Sequence, residues 1–258
     1  MTQSQPRKRR SQGRSSPAQR PPKERDGGPI WLWGSHAVLA ALANSRRVRH
    51  RLLATANAAR RLDLVDAVEI TPKDLDRLLP AGAVHQGVAF QTDQLEPIAL
   101  DDLMDRAPPR LAVLDQLADP HNLGAIFRSA AAFDVAALIL QTRHTPAISG
   151  IVAKSAAGAV ETVAECRVVN IARTLETLSA QGYSVVGLAG EAQVSLKDAL
   201  DGGPAAIVLG AEGAGLRPGV AKACTHLAKI AISPRMESLN VSNAAAIAFY
   251  EIAGNRNS

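Results

Sequence analysis

The sequence predicts an α/β protein in two parts, a small mixed domain followed by a larger one built on a mostly parallel sheet. Three observations carry that prediction. From residue 111 onward, short apolar strands alternate with helix-length segments, the pattern of a parallel sheet covered on both faces. Ahead of it, residues 28–92 hold their own shorter set of strands and helices, and a stretch rich in Asp, Pro and Leu at 93–109 separates the two. With 47% hydrophobic and 21% charged residues in a chain of 258, there is apolar surface enough for both cores, which excludes a disordered polymer.

The chain opens on a basic segment. Residues 1–26 carry eight Lys or Arg against two acids, a net charge of +6, and the rest of the chain sums to −1. Arg, Lys, Ser, Gln and Pro cannot bury enough apolar area to offset their ordering entropy, so 1–27 is expected to be a disordered tail suited to phosphate contacts. It has no apolar stretch of leader length. The longest apolar runs further on, near 135–140 and 205–209, fall far short of the roughly 20 residues that cross a bilayer. A cytoplasmic protein with no membrane partner is expected. Cys166 and Cys224 have no His or Cys at ligand spacing, so neither a metal site nor a disulfide is expected, and both read as small core residues.

In the first domain, residues 30–33 lead through Gly34 into a helix over 36–43, with Ser35 as its expected N-cap. Residues 46–61 then supply Arg46, Arg47, Arg49, Arg51, Arg60 and Arg61 without a single acid, a second positive surface. A strand is expected at 65–70, a short helix at 72–79 and a strand at 88–91. The linker, 93–109, should hold a helix of its own, ended by Pro108 and Pro109, which cannot continue one. The second domain, 110–258, should place strands at 111–117, 136–141, 163–169, 184–189, 206–209 and 227–232. Its helices fall at 123–133, 151–157, 172–181, 218–224 and 241–252.

Three polar or glycine-rich clusters stand at the C-terminal ends of predicted strands, where open α/β sheets bind ligands. No glycine fingerprint for dinucleotides follows the first strand of the second domain, and neither a phosphate-binding G-x-x-x-x-G-K-[ST] loop nor a G-x-S-x-G elbow occurs. In the first cluster, D-P-H-N-L-G-A-I-F-R-S-A at 119–130, Asn122 suits a plain helix cap as well as a functional role. Arg128 interrupts an almost wholly apolar helix, where a charge needs a partner or a ligand phosphate. The second, V-L-G-A-E-G-A-G-L at 208–216, sets three glycines around Glu212. Such a loop lets a ligand approach the main chain, and without Lys or Arg inside it suits a flat heterocycle better than a phosphate chain. The third, 230–246, has more Ser and Asn than a helix cap needs, and leads into an alanine-rich helix suited to close packing against a second subunit.

In order and spacing, N-L-G-A-I-F-R-S-A, L-G-A-E-G-A-G-L and E-S-L-N-V-S-N-A-A-A resemble the SpoU (TrmH/RlmB-like) branch of the SPOUT RNA 2′-O-ribose methyltransferases. The front domain is similar to that family's ribosomal-protein-like substrate-binding domain through W-G-S-H-A-V at 33–38 and H-Q-G-V at 85–88. The resemblance implies a trefoil-knotted, mostly parallel-sheet methyltransferase domain, with S-adenosylmethionine held in the knot by Leu209, Gly210, Gly215, Ile230, Ile232, Met236 and Leu239. It also implies that Arg128 acts at a ribose 2′-hydroxyl, with Asn122, Glu212, Ser238 and Asn240 arranging the site. A guanidinium stays protonated, so Arg128 is better suited to gripping a phosphate and stabilising alkoxide charge than to acting as a base.

The expected partner is therefore RNA, with a guanosine of 23S ribosomal RNA or its precursor favoured by the two-domain layout, and the tail and the six arginines would neutralise its phosphates. A transfer-RNA 2′-O-methyltransferase and a non-catalytic RNA-binding assembly factor are the alternatives. A homodimer is the assembly the family implies.

Overall fold

A computed structural model describes residues 28–143 and 145–254, and the expected basic tail lies outside them. The front sheet is built from β1 (Ile30–Trp33), β2 (Arg49–Ala54), β3 (Val68–Glu69) and β4 (Val88–Thr92), in the order β1-β4-β2-β3. Helices α1 (Ser35–Ala43), α2 (Ala56–Leu62) and α3 (Pro72–Leu78) connect them. One expectation needs correction. Ser35 is the first helical residue rather than the cap. That place falls to Gly34, whose φ of 87° lies in the left-handed region that glycine adopts freely. The arginine-rich stretch at 46–61 forms a strand and a helix, because Leu52, Leu53 and Ala54 turn progressively inward and the Thr55 hydroxyl caps α2 by accepting from the Ala58 N–H.

After α4 (Leu100–Asp105) comes a seven-stranded sheet. Its strands are β5 (Arg110–Leu114), β6 (Ala137–Gln141), β7 (Ala164–Val168), β8 (Ser184–Leu188), β9 (Val194–Ser195), β10 (Ala205–Leu209) and β11 (His226–Lys229). All pairings are parallel, in the order β7-β6-β5-β10-β8-β11-β9. Helices α5 (Pro120–Ala132), α6 (Gly150–Ala156) and α9 (Val241–Gly254) pack with one core cluster, and α7 (Ile171–Ala180) and α8 (Pro218–Ala223) with the other. Strands buried on both faces read as apolar runs, and Leu111–Leu114 and Ala206–Val208 are indeed fully buried. The short strand β9 escaped sequence reading because two residues carry no periodicity.

The strand order places the site. From β5 the chain builds outward through β6 and β7 on one side, then crosses back to fill β8, β10 and β11 on the other. The reversal lies between β5 and β10, and ligands of open parallel sheets bind at such a point, beyond the carboxyl ends of the strands. Those ends deliver Asp115 and Gly210.

The two parts are not separate bodies here. One apolar cluster runs from Ile30, Leu32 and Phe90 of the front sheet to Leu123, Phe127 and Val152 of the second. The seam closes tightly: a Cβ on Gly150 would lie 2.0 Å from the Trp33 ring. Beside it Glu161, in a 3₁₀ turn at Ala159–Glu161, receives the Arg47 guanidinium at 2.7 and 3.0 Å and the Asn44 amide at 2.7 Å. Cys166 is buried and Cys224 partly so, and both are free thiols.

Candidate active site

Helix α5 begins at a proline, and Asp119 caps it by accepting from the His121 and Asn122 N–H groups. That settles the ambiguity over Asn122. It is not the cap, so its carboxamide is free to reach across to other segments. Asn122 Nδ2 donates to Glu212 Oε1, and its Oδ1 accepts from Asn240 Nδ2 at 3.2 Å. Asn240 Nδ2 also lies 3.4 Å from Glu212 Oε1. Meanwhile Asn240 Oδ1 accepts from the Ser242 N–H at 2.9 Å and the Ser242 hydroxyl at 2.6 Å, which fixes the entry to α9. One carboxylate and two carboxamides from three distant stretches of chain thus meet at the switch point.

The glycines are needed first by the loop itself. Ala211 and Gly215 exchange backbone hydrogen bonds at 3.1 and 2.9 Å, so 211–215 closes on itself. A Cβ on Gly210 would sit 2.2 Å from the Gly215 carbonyl carbon, and Gly213 and Gly215 have φ of 77° and 67°. Leu209 is buried at the base of this loop, and Ile230 and Leu239 are half-buried. Ile232 and Met236 stand in the open, 38% and 64% exposed.

Arg128 lies six residues along α5 from Asn122, less than two turns and about 9 Å up the axis. It is exposed, and no described residue hydrogen-bonds to it or pairs with it. Ser238 is likewise exposed and outside the three-residue network. The fold brings Asn122, Glu212 and Asn240 into contact, therefore, and leaves Arg128 and Ser238 facing solvent.

Of the basic residues expected at an RNA surface, Arg49, Arg51 and Arg60 are exposed, Arg61 keeps an exposed bonding group, and Arg51 lies 5.8 Å from the Trp31 ring centroid. Arg46 is exposed and touches the Glu161 carbonyl at 3.2 Å. Arg47 is a correction: its side chain is 1% exposed, and Glu161 and the Asp93 carbonyl take up its donors. A guanidinium buried and satisfied in this way has nothing left for a phosphate.

Sequence reading missed a pair beneath the loop. Asp115, fully buried at the end of β5, donates its N–H to the Leu209 carbonyl at 2.8 Å. Its carboxylate accepts from the Arg217 N–H at 3.2 Å, Nε at 2.9 Å and Nη2 at 2.6 Å. One residue therefore holds both ends of 209–217 while starting the turn into α5. The signal was present: an acid directly after four apolar strand residues, and an arginine directly after a glycine loop.

The chain is similar to known proteins over most of its length. The SpoU rRNA Methylase family matches residues 109–250, and the RNA 2′-O ribose methyltransferase substrate binding domain matches 31–98. The 23S rRNA (guanosine-2′-O-)-methyltransferase RlmB of Ralstonia nicotianae is 39% identical, over 87% of this chain and 95% of that protein. The protein of the same name from Vibrio parahaemolyticus is 37% identical over 88% and 97%. Among solved structures, the SpoU methyltransferase AviRb of Streptomyces viridochromogenes in complex with AdoMet superposes with a TM-score of 0.74 at 22% identity, covering 90% of this chain and 91% of that one. An AdoMet-bound rRNA methyltransferase from Sinorhizobium meliloti gives 0.67 at 23%, covering 87% and 86%. At such identities the structures speak for the fold. With a family match over more than half its length and relatives that align nearly end to end, the chain belongs to the SpoU rRNA methylase family of SPOUT RNA methyltransferases.

Proposed function

We infer that this protein is an S-adenosylmethionine-dependent RNA methyltransferase that moves a methyl group to the ribose 2′-hydroxyl of a guanosine in 23S ribosomal RNA. The observation that carries the reading is the meeting of Asn122, Glu212 and Asn240 at the switch point, with Asn122 on the helix that also bears Arg128, which has no partner among the described residues. Binding alone would make no demand on that constellation. The named relatives and the cofactor in their structures support the substrate and the donor.

The residues present fit the donor. Loop 210–216 has a main-chain lining without a basic side chain, Leu209, Ile230 and Leu239 are apolar and at least half-buried, and exposed Ile232 and Met236 lack apolar cover. This chemistry suits a neutral adenine and a sulfonium better than a phosphate chain. Leu209, Gly210, Gly215, Ile230, Ile232, Met236 and Leu239 would hold the group, the segments that carry them forming the trefoil knot typical of the family. S-adenosylmethionine supplies, when bound, an electrophilic methyl group on a positively charged sulfur. Asn122 and Asn240 orient the Glu212 carboxylate, an acceptor for a hydroxyl or amine. Ser238 helps to position the ribose. Arg128 draws in the adjoining phosphate and stabilises negative charge growing on the 2′-oxygen, a task for a permanent cation.

Arg46, Arg49, Arg51, Arg60 and Arg61 hold the RNA away from the reacting ribose, and a second copy of the chain packs on α9, where Tyr250 is 63% exposed with its ring edge-on to Phe133. Purified protein, S-adenosylmethionine and unmodified 23S rRNA should yield one alkali-resistant 2′-O-methylated guanosine. Absence of any such product, or full activity of Arg128→Ala, would overturn the reading. Sedimentation at the mass of one chain at working concentration would overturn the dimer.

A further inference from the structure

The front-domain motifs W-G-S-H-A-V and H-Q-G-V meet a residue of the second domain. Lys154, on α6, donates from Nζ to the Gln86 side-chain oxygen at 3.0 Å. The same oxygen accepts from the Ser35 N–H at 2.9 Å, and Arg61 reaches the Gln86 carbonyl at 3.0 Å. Gly34 makes room for this crossing, since a Cβ there would lie 2.2 Å from Lys154 Nζ. The next residue, Ser155, has its hydroxyl 3.3 Å from His121 Nδ1. Helix α5 is drawn against α6 by Gly124, whose Cβ would overlap Ser155 and the Val152 carbonyl. His121 and Arg128, seven residues apart, share the α5 face that borders this contact.

A polar track thus leads from Arg61 over Lys154 and His121 to Asn122 and Arg128. Among the described ion pairs, none involves Arg61, Lys154 or Arg128, and the partners of the first two are neutral oxygens. A lysine that spans a seam towards an amide, with partial burial lowering its ammonium below the usual lysine range, is poised for a stronger acceptor. Phosphate oxygens are such acceptors.

Resting on the methyltransferase reading, we propose that Lys154 and His121 carry the single-stranded RNA next to the target nucleotide from the front domain to Arg128, with Lys154 contacting its phosphate backbone. Each phosphate neutralised on a single strand contributes about 0.7 to the slope of log affinity against log salt. Binding of in vitro transcribed 23S rRNA, measured from about 50 to 200 mM salt, should lose about that much slope in Lys154→Gln, and Lys154→Arg should restore it. His121→Ala should lower kcat/KM for the RNA while calorimetric affinity for S-adenosylmethionine stays as in the parent. Gln86→Ala removes the seam bond but no charge, and should keep the parent slope. An unchanged slope in Lys154→Gln, or an equal loss in Gln86→Ala, would overturn the track and make Lys154 a seam contact only. Failure of the parent protein to bind S-adenosylmethionine would instead count against the enzyme reading, whatever the slopes show.

Discussion

Arg47 and Arg128 are the same side chain put to opposite uses. Arg47 lies in the seam between the two sheets, its donors taken by Glu161 and the Asp93 carbonyl and its side chain 1% exposed. Arg128 interrupts an apolar helix at the switch point and reaches solvent with no described partner. Composition cannot tell them apart, and charge density misleads, because Arg47 sits in the most arginine-rich stretch of the described chain. What separates them is whether the fold itself supplies the counter-charge. A desolvated guanidinium that has one serves the structure, and one held in the open without one keeps its donors available to a ligand, the role proposed for Arg128.

The largest effect should come from breaking the seam. Arg47→Ala leaves Glu161 buried with the Asn44 amide and the Arg46 contact, and should cost about 3–5 kcal/mol in urea unfolding. Replacing both partners with apolar residues, Arg47→Met with Glu161→Leu, should recover most of that loss, since a buried pair contributes little net stability over well-packed hydrophobic groups. If Arg47→Ala unfolded like the parent but bound RNA more weakly, the division between the two arginines would be wrong.

Arg128 should show the converse. Arg128→Ala is expected to lower kcat by about 10²–10³, the loss of roughly 2.7–4 kcal/mol of transition-state stabilisation, with no fall in the melting temperature. Arg128→Lys sharpens the point: partial activity would mean that a point charge suffices, and complete loss that the planar fork is required. A melting temperature that fell with activity would make Arg128 structural after all.

Asp115 stands between the two cases, buried like the seam pair yet joined to the site. Asp115→Asn keeps the shape but weakens the hold on Arg217, and should raise the Kd for S-adenosylmethionine about tenfold, or 1.4 kcal/mol, by loosening both ends of 209–217. Unchanged affinity, measured by calorimetry on folded protein, would confine Asp115 to a stabilising role.

These pairs also mark what the sequence could reveal. The parallel sheet was legible because strands buried on both faces are apolar throughout, as Leu111–Leu114 are. Asn122, Glu212 and Asn240 were legible as polar clusters at strand ends, although only folding shows that they touch. The fate of Arg47 was not legible. Its partner Glu161 lies 114 residues away in a 3₁₀ turn, and no local pattern announces a pairing at that distance. The same holds for Lys154 and Gln86, which are 68 residues apart.

The smallest effect at neutral pH concerns two buried or half-buried groups that have no counter-charge among the described residues. Burial pushes the Cys166 and Cys224 thiols up to about 11, with Glu165 and Asp115 adding repulsion, so the native protein keeps both protonated where an unfolded chain releases protons from about pH 9. A raised native pKa means stability that is fully present below the unfolded value and lost as pH climbs through the folded one. Stability should therefore decline from pH 9 towards 11 by up to about 2 kcal/mol per thiol, less where solvent screens the group, and Cys166→Ala with Cys224→Ala should flatten that part of the curve. A double variant with the same alkaline decline would show that the thiols do not control it. Glu161 meets the Arg47 guanidinium in the dry seam, whereas these thiols have only carboxylates nearby and are held neutral.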